Sequence, residues 1–247
     1  MKIRVIRPGS RHNTDPEFMK HSAEVTRSYA SPGVEVETVF LDGTRHSGPM
    51  LGSLNEARAM SSAQHVVNEV IRAEKDGFDA AYLTGEYDVG SEIARHVVDI
   101  PVIDSGTVTT RFAPLLGDRI CLLAVEDSAM AYTRKLLRRW GVEDTITTTR
   151  TWNIPLAELW NRRGEVKELT LRLCRDAMER DDVNVILPFC TVFVPFILRA
   201  EELEDALGIP VVNSIAVSLK TAEMFVDLKI RPNRKVYPKT PYAVWGG

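Results

Sequence analysis

The sequence predicts an α/β protein made of two similar halves, each a parallel sheet covered by helices on both faces. Three observations predict it. Short β-branched runs alternate along the chain with longer stretches of helical period. A slide of 105 residues lays AAYLTG (80–85) on VILPFC (185–190). A slide of 109 lays IPVIDS (100–105) on IPVVNS (209–214), in the same chain order. The two offsets differ by a short insertion in the helical segment between the matches.

The elements follow in order. Residues 3–6 (IRVI) form the first strand, and 34–40 (VEVETVF) the second, opened by the Pro32-Gly33 turn. Met60, Ala63, Val67 and Val70 draw an apolar stripe along a helix over 55–75. Strands at 80–84, 100–103 and 120–125 come next. A helix carrying residues 135–140 stops at Gly141, a normal C-terminal cap. Residues 165–178 make a helix with Val166, Leu169, Leu173 and Ala177 on one face. Short strands at 183–187 and 211–212 precede a closing helix from Ser214, which carries Ile215, Leu219, Ala222 and Val226. Parallel strands need crossovers of a dozen or more residues, and these helices supply them. Each half is then a flavodoxin-like unit, and a pseudo-two-fold relates the two. Residues 1–104 with 214–227 form the first half, 105–213 the second, and 228–247 a C-terminal extension. The extension clusters Lys229, Arg231, Arg234, Lys235 and Lys239 and reads as solvated and proline-broken.

Composition excludes several function classes. At 44% hydrophobic and 26% charged, the chain resembles ordinary globular proteins. A net charge of −3 with both signs scattered argues against nucleic-acid or membrane-surface binding. No apolar run reaches membrane-spanning length, and MKIRVIRPGS alternates charge with β-branched residues, unlike a signal peptide. Three widely spaced cysteines make neither a disulfide framework nor a zinc pattern, so a reducing cytoplasm is expected. RPGS has too few glycines for a dinucleotide fingerprint. The histidines at 12, 21, 46, 65 and 96 are scattered, with His46 a lone loop residue that either lines a cleft or is simply exposed. No cofactor and no metal are expected.

The repeat locates a site. In open parallel sheets, ligands sit beyond the carboxyl ends of the strands. Two half-sheets facing a common cleft put Gly85 and Cys190 on opposite walls. Cys190 follows a strand and opens a short helix, a position that lowers a thiol's pKa. The competing reading is a small buried hydrophobe, which is the one given to Cys121 and Cys174. Turns at Gly85-Glu86-Tyr87 and Cys190-Thr191-Val192, and helix starts at Ser105 and Ser214, supply backbone N–H groups suited to an anionic oxygen. Ser105 and Ser214 read equally well as plain N-caps, Asp104 matches Asn213 in the repeat, and Thr191 reads also as a turn residue. Glu86 is either a carboxyl group in the cleft or a solvent-facing turn residue. Asp88 reads as a turn-former. Arg7, at the end of the first strand, would clamp a carboxylate bidentately; the alternative is a surface arginine.

The segments IRVIRPGS, GPMLGSLNEARA, GEYDVGSEIAR, IPVIDSG, VILPFC and IPVVNSIAVSLKTAE together resemble the aspartate/glutamate racemase superfamily, and within it the hydantoin racemase branch. The resemblance covers residues 2–228. It implies two cysteines flanking the substrate. One takes a proton from the carbon beside a carboxylate or carbonyl, and the other returns it from the opposite face, without cofactor or metal. Here the second thiol is Cys190 and the first position is Gly85. GEYDVG stands where the family has Cys-Phe-x-Asp-Pro-Gly: Asp88 and Gly90 match, whereas Gly85, Glu86 and Val89 do not. Arg7 replaces the asparagine usual in related racemases. A glycine paired with one cysteine resembles the arylmalonate decarboxylases of the same superfamily, which protonate from one face only.

The expectation is a cofactor-independent racemase or isomerase acting at the carbon alpha to a carboxylate or ring carbonyl. Cys190 serves as acid/base with Glu86 as candidate partner. Arg7, Gly85, Tyr87, Ser105, Thr191, Val192, Asn213 and Ser214 are candidates for binding the substrate, a small carboxylate or cyclic amide. Alternatives are an arylmalonate-type decarboxylase, a maleate-type cis–trans isomerase with Cys190 as nucleophile, and a carboxylate-binding protein without catalysis. A homo-oligomer is expected.

Overall fold

A computed structural model describes residues 1–41, 54–87 and 89–245. His46 and Asp88 therefore lie outside the described residues. The first half runs β1 (Lys2–Ser10), α1 (Pro16–Ser28), β2 (Glu35–Leu41), α2 (Glu56–Lys75), β3 (Ala80–Leu83), α3 (Ser91–Arg95) and β4 (Val102–Asp104), and α4 (Ser105–Phe112) opens the second. The second runs β5 (Ile120–Ala124), α5 (Met130–Trp140), β6 (Ile146–Thr151), α6 (Arg163–Asp181), β7 (Val185–Pro188) and α7 (Ala200–Leu207). Two helices close the chain, α8 (Ser214–Asp227) and α9 (Tyr242–Trp245).

The strands build two parallel sheets, ordered β2-β1-β3-β4 and β6-β5-β7. A lone parallel bridge from Ile186 to Val211 stands beside β7 where β4 stands beside β3. The two sheets thus share one topology. The central strands β3, β5 and β7 are buried throughout, as continuous apolar runs between helical layers must be. Ile215, Leu219 and Ala222 of α8 pack with Ile3, Val5 and Tyr82 of the first sheet, so the last long helix returns to the first half.

Several local features depart from the sequence expectation. Met60 is 69% exposed, and α2 instead buries Ala59, Ala63, Val66, Val67 and Val70. Residues 211–212 contribute one bridge rather than a strand. The chain beyond Leu228 is mostly exposed, as expected of a solvated extension, yet its side chains are tied to the first half at several points. Arg234 pairs with Asp99 at 2.5 Å and donates to the carbonyl of Arg95 at 2.9 Å. Lys239 also pairs with Asp99, Tyr242 donates to Glu74, and the Trp245 indole donates to Asn68 at 2.9 Å. Arg231, Arg234 and Lys239 find acceptors at the end of α3, where helix carbonyls lack internal partners, and on Asp99 just after it.

Candidate active site

Two turns, one from each sheet, form the floor of a cavity of about 450 Å³. Residues after β3 make the first. Gly85 has φ +94°, a left-handed conformation open to glycine, and the chain turns there so that Glu86 is 1% exposed. A Cβ on Gly106 would stand 2.3 Å from the Glu86 carbonyl oxygen, so only glycine lets the start of α4 press against the back of this turn. The second turn follows β7 and carries Cys190, Thr191 and Val192 into the same cavity. Register explains the convergence. Ile6 pairs with Leu83, and Leu123 pairs with Pro188, so the carboxyl ends of both sheets finish level with their neighbours. Arg7, Pro8 and Gly9 extend from β1 along one wall.

Electrostatics divide the titratable groups. Burial raises the Glu86 carboxyl to about 7; the Ser214 hydroxyl, its own backbone N–H, the Arg7 charge and the Thr191 N–H pull the other way. Its Oε1 atom has no hydrogen-bond partner. Burial also pushes the Cys190 thiol up, to about 12, helped by the Glu86 charge and opposed by the N–H groups of Val192 and Phe193 and by Arg7. The expectation of a lowered thiol pKa is therefore corrected: desolvation outweighs the turn's N–H groups, and the resting group is S–H. Arg7 is brought down to about 10 by burial, opposed by Tyr82, Cys190 and Glu86. Burial moves the Tyr87 phenol upward, so it stays neutral. Its ring stacks on Tyr132 at 5.7 Å and meets Phe189 edge-on at 5.5 Å.

Among the sequence candidates, Arg7, Gly85, Glu86, Tyr87, Cys190, Thr191 and Val192 line the cavity together. Ser105, Asn213 and Ser214 do not. The reading of the two serines as N-caps is also corrected. Asp104 caps α4 by accepting from Thr107 N at 2.9 Å, and Asn213 caps α8 by accepting from Ala216 N at 3.0 Å. The longer Asp and Asn side chains reach the third residue on, which frees the serines. The Ser105 hydroxyl pairs with Tyr82 at 2.8 Å beneath the site. The Ser214 hydroxyl lies 3.4 Å from the Pro188 carbonyl, and it favours the ionised form of Glu86 when it turns its single proton to that carboxyl instead. It acts behind the carboxylate rather than on the cavity wall.

Sequence reasoning missed Thr14, Asp15, Phe18, Phe40 and Trp160, which also line the cavity. The first three start α1, where Asp15 accepts from Glu17 N at 2.8 Å and Phe18 N at 3.1 Å ahead of Pro16. The Asp-Pro pair is a legible helix start. Nothing local marks Trp160. Among the described residues, no group of three or more His, Cys, Asp or Glu side chains is arranged to hold a metal ion. No described helix is long and apolar enough to cross a membrane.

A family model described as Asp/Glu/hydantoin racemase matches residues 11–222. The hydantoin racemase of Pseudomonas sp. (strain NS671) is 25% identical over 231 residues, covering 92% of this chain and 87% of that protein. The fold superposes on allantoin racemase from Pseudomonas fluorescens with a TM-score of 0.85 at 21% identity, over 97% of both chains. It also superposes on a glycine-to-cysteine mutant of arylmalonate decarboxylase with a TM-score of 0.65 at 19% identity, over 92% and 94% of the two chains.

Proposed function

The chain belongs to the Asp/Glu/hydantoin racemase family, and from that premise we propose that it racemises a five-membered cyclic amide of the hydantoin type at the ring carbon beside the carbonyl. Glu86 and Cys190 are its unlike acid–base pair. One observation carries this reading: a buried carboxyl with a pKa of about 7 and an unpartnered oxygen lines the same cavity as the thiol. A general base poised near neutral pH is well matched to a carbon acid.

Near neutrality the resting pair is carboxylate and thiol. Glu86 takes the ring-carbon proton, and the electron pair moves onto the ring carbonyl as an enolate. Backbone N–H groups of the two turns are the donors we assign to that developing charge. Cys190 then gives its proton to the opposite face of the carbon, leaving a thiolate. Protonated Glu86 no longer repels that thiolate, and Arg7 with the N–H groups of Val192 and Phe193 favours it. Passing the proton from Glu86 to Cys190 resets the pair, and the same steps reversed convert the other enantiomer.

The test is a proton NMR time course in D2O with a panel of hydantoins, beside malonate- and maleate-type diacids. The expected result is loss of the ring C–H signal with the skeleton intact, together with decay of optical rotation. No exchange in any hydantoin would sink the racemase reading. Gly85, with no thiol on its wall, favours one second reading, a decarboxylase; it requires loss of a carboxyl group from a malonate with one deuteron in its place.

Gly85→Cys probes the wall opposite Cys190. An added Cβ would meet only Pro8 Cγ, at 3.6 Å, but the positive φ costs a side chain about 1–2 kcal/mol. Placed in a Glu86→Gln background, the new thiol is expected to restore racemisation at least roughly 10-fold over Glu86→Gln alone. A double variant that folds and binds substrate without any gain would mean that residue 85 does not face the reacting carbon.

A further inference from the structure

We propose that Arg7 makes this site selective for substrates that carry a second, anionic group, a carboxylate on the ring substituent. The proposal rests on the racemase reading for the identity of the ring but not for the anion site itself.

Three observations lead to it. First, Arg7 is a buried cation that lines the cavity; it is 6% exposed, its Nη1 has no hydrogen-bond partner, and it forms no ion pair among the described residues. A guanidinium in that position is incomplete until a ligand supplies acceptors. Second, its immediate surroundings are aromatic. The guanidinium carbon lies 4.5 Å from the Phe196 ring centroid, 5.4 Å from Phe40 and 5.5 Å from Phe18. Rings favour the charge but offer no hydrogen-bond acceptor to its N–H groups. Third, the other charged groups on the cavity wall are engaged or assigned. Asp15 caps α1, and Glu86 keeps an unpartnered oxygen of its own rather than bonding Arg7.

A neutral hydantoin ring offers single carbonyl acceptors, each suited to one N–H. A carboxylate offers two oxygens in a plane, matched to two N–H groups of the fork. The cavity, at about 450 Å³, has room for a five-membered ring and a short side chain ending in such a group. Burial among rings also strengthens that pairing over what water would allow.

The experiment compares two hydantoins of equal size, one bearing a 2-carboxyethyl group at the reacting carbon and the other a 2-carbamoylethyl group. Wild-type kcat/KM is expected to favour the carboxylate by roughly 10- to 100-fold, mostly through KM, as one charge-assisted bidentate contact would give. Arg7→Met should erase the preference by raising KM for the carboxylate alone; because the Arg7 charge also favours the Cys190 thiolate and the Glu86 carboxylate, kcat should fall to a similar degree with both substrates. Arg7→Lys, which keeps the charge and loses the fork, should fall between them and serves if the methionine variant does not fold. Equal turnover of both substrates by the wild type would overturn the proposal. So would an Arg7→Met variant that loses kcat equally with both substrates while keeping the preference for the carboxylate, which would confine the guanidinium to the acid–base pair. A second readout needs no turnover: thermal stabilisation of wild type and Arg7→Met by glutarate and by glutaramide. Glutarate-specific stabilisation that vanishes with Arg7, in a protein that racemises nothing, supports the anion site and defeats the racemase reading. Racemisation without any carboxylate preference does the reverse.

Discussion

Cys190→Ala is expected to lower kcat/KM for racemisation by about 10³-fold, the middle of the range for loss of a positioned proton donor. The protein itself should remain folded. The thiol is 7% exposed at the cavity edge of the core, and its removal leaves a gap beside space that is already open, so the stability loss should be about 1 kcal/mol. The more telling outcome concerns hydrogen exchange. With Glu86 intact, one enantiomer should still exchange its ring C–H for deuterium, because the carboxylate can remove and return a proton on one face. It should do so without losing optical activity. The opposite enantiomer, whose C–H points toward residue 190, should not exchange. NMR and polarimetry on each pure enantiomer read this split directly. Cys190→Ser, which keeps the volume but holds its proton more tightly, should also lose about 10²-fold. Undiminished racemisation by Cys190→Ala would remove the thiol from the mechanism.

The fold was legible because the two halves repeat not only sequence but the order of strands. AAYLTG and VILPFC become β3 and β7, each flanked by the strand that opens its half. The first IPV segment becomes β4 and the second yields only the Val211 bridge. What escaped the sequence had no apolar period. β6, ITTTRT, is a half-exposed edge strand whose threonines carry β-propensity without a buried face. The site was legible where it lies at strand ends, because topology dictates where those ends meet. It was illegible where distant segments arrive by tertiary packing, as Trp160 does. The thiol's pKa was misread for a related reason. Turn N–H groups are local and visible in sequence, whereas burial is a property of the whole cavity and here outweighs them.

Glu86 allows a test in which activity and stability must change together. Its carboxyl titrates at about 7 in the folded protein, against 4.5 for an unperturbed glutamate. The folded state therefore holds its proton more tightly than the unfolded state does. Between pH 4.5 and 7 the native protein binds more protons, so stability falls as pH rises through that window and stays lower above it. Glu86→Gln has no proton to lose. It should match wild type near pH 4 and exceed it near pH 8 by up to about 3 kcal/mol, read as a difference in melting temperature or denaturation midpoint. Activity should move the opposite way. Enantiomers have equal free energies, so kcat/KM must be the same in both directions and follow one pH profile. That profile belongs to the state in which Glu86 and Cys190 share a single proton. In wild type it should rise as Glu86 ionises near pH 7 and hold level toward the thiol's titration near 12. Glu86→Gln should lose about 10³-fold in kcat/KM, and its remaining activity should be flat through neutrality. A limb near pH 7 that survives in Glu86→Gln would belong to another group. A variant no more stable than wild type at pH 8 would mean that the carboxyl is not buried in the free protein, and the base poised near neutrality would then have to be sought elsewhere in the cavity.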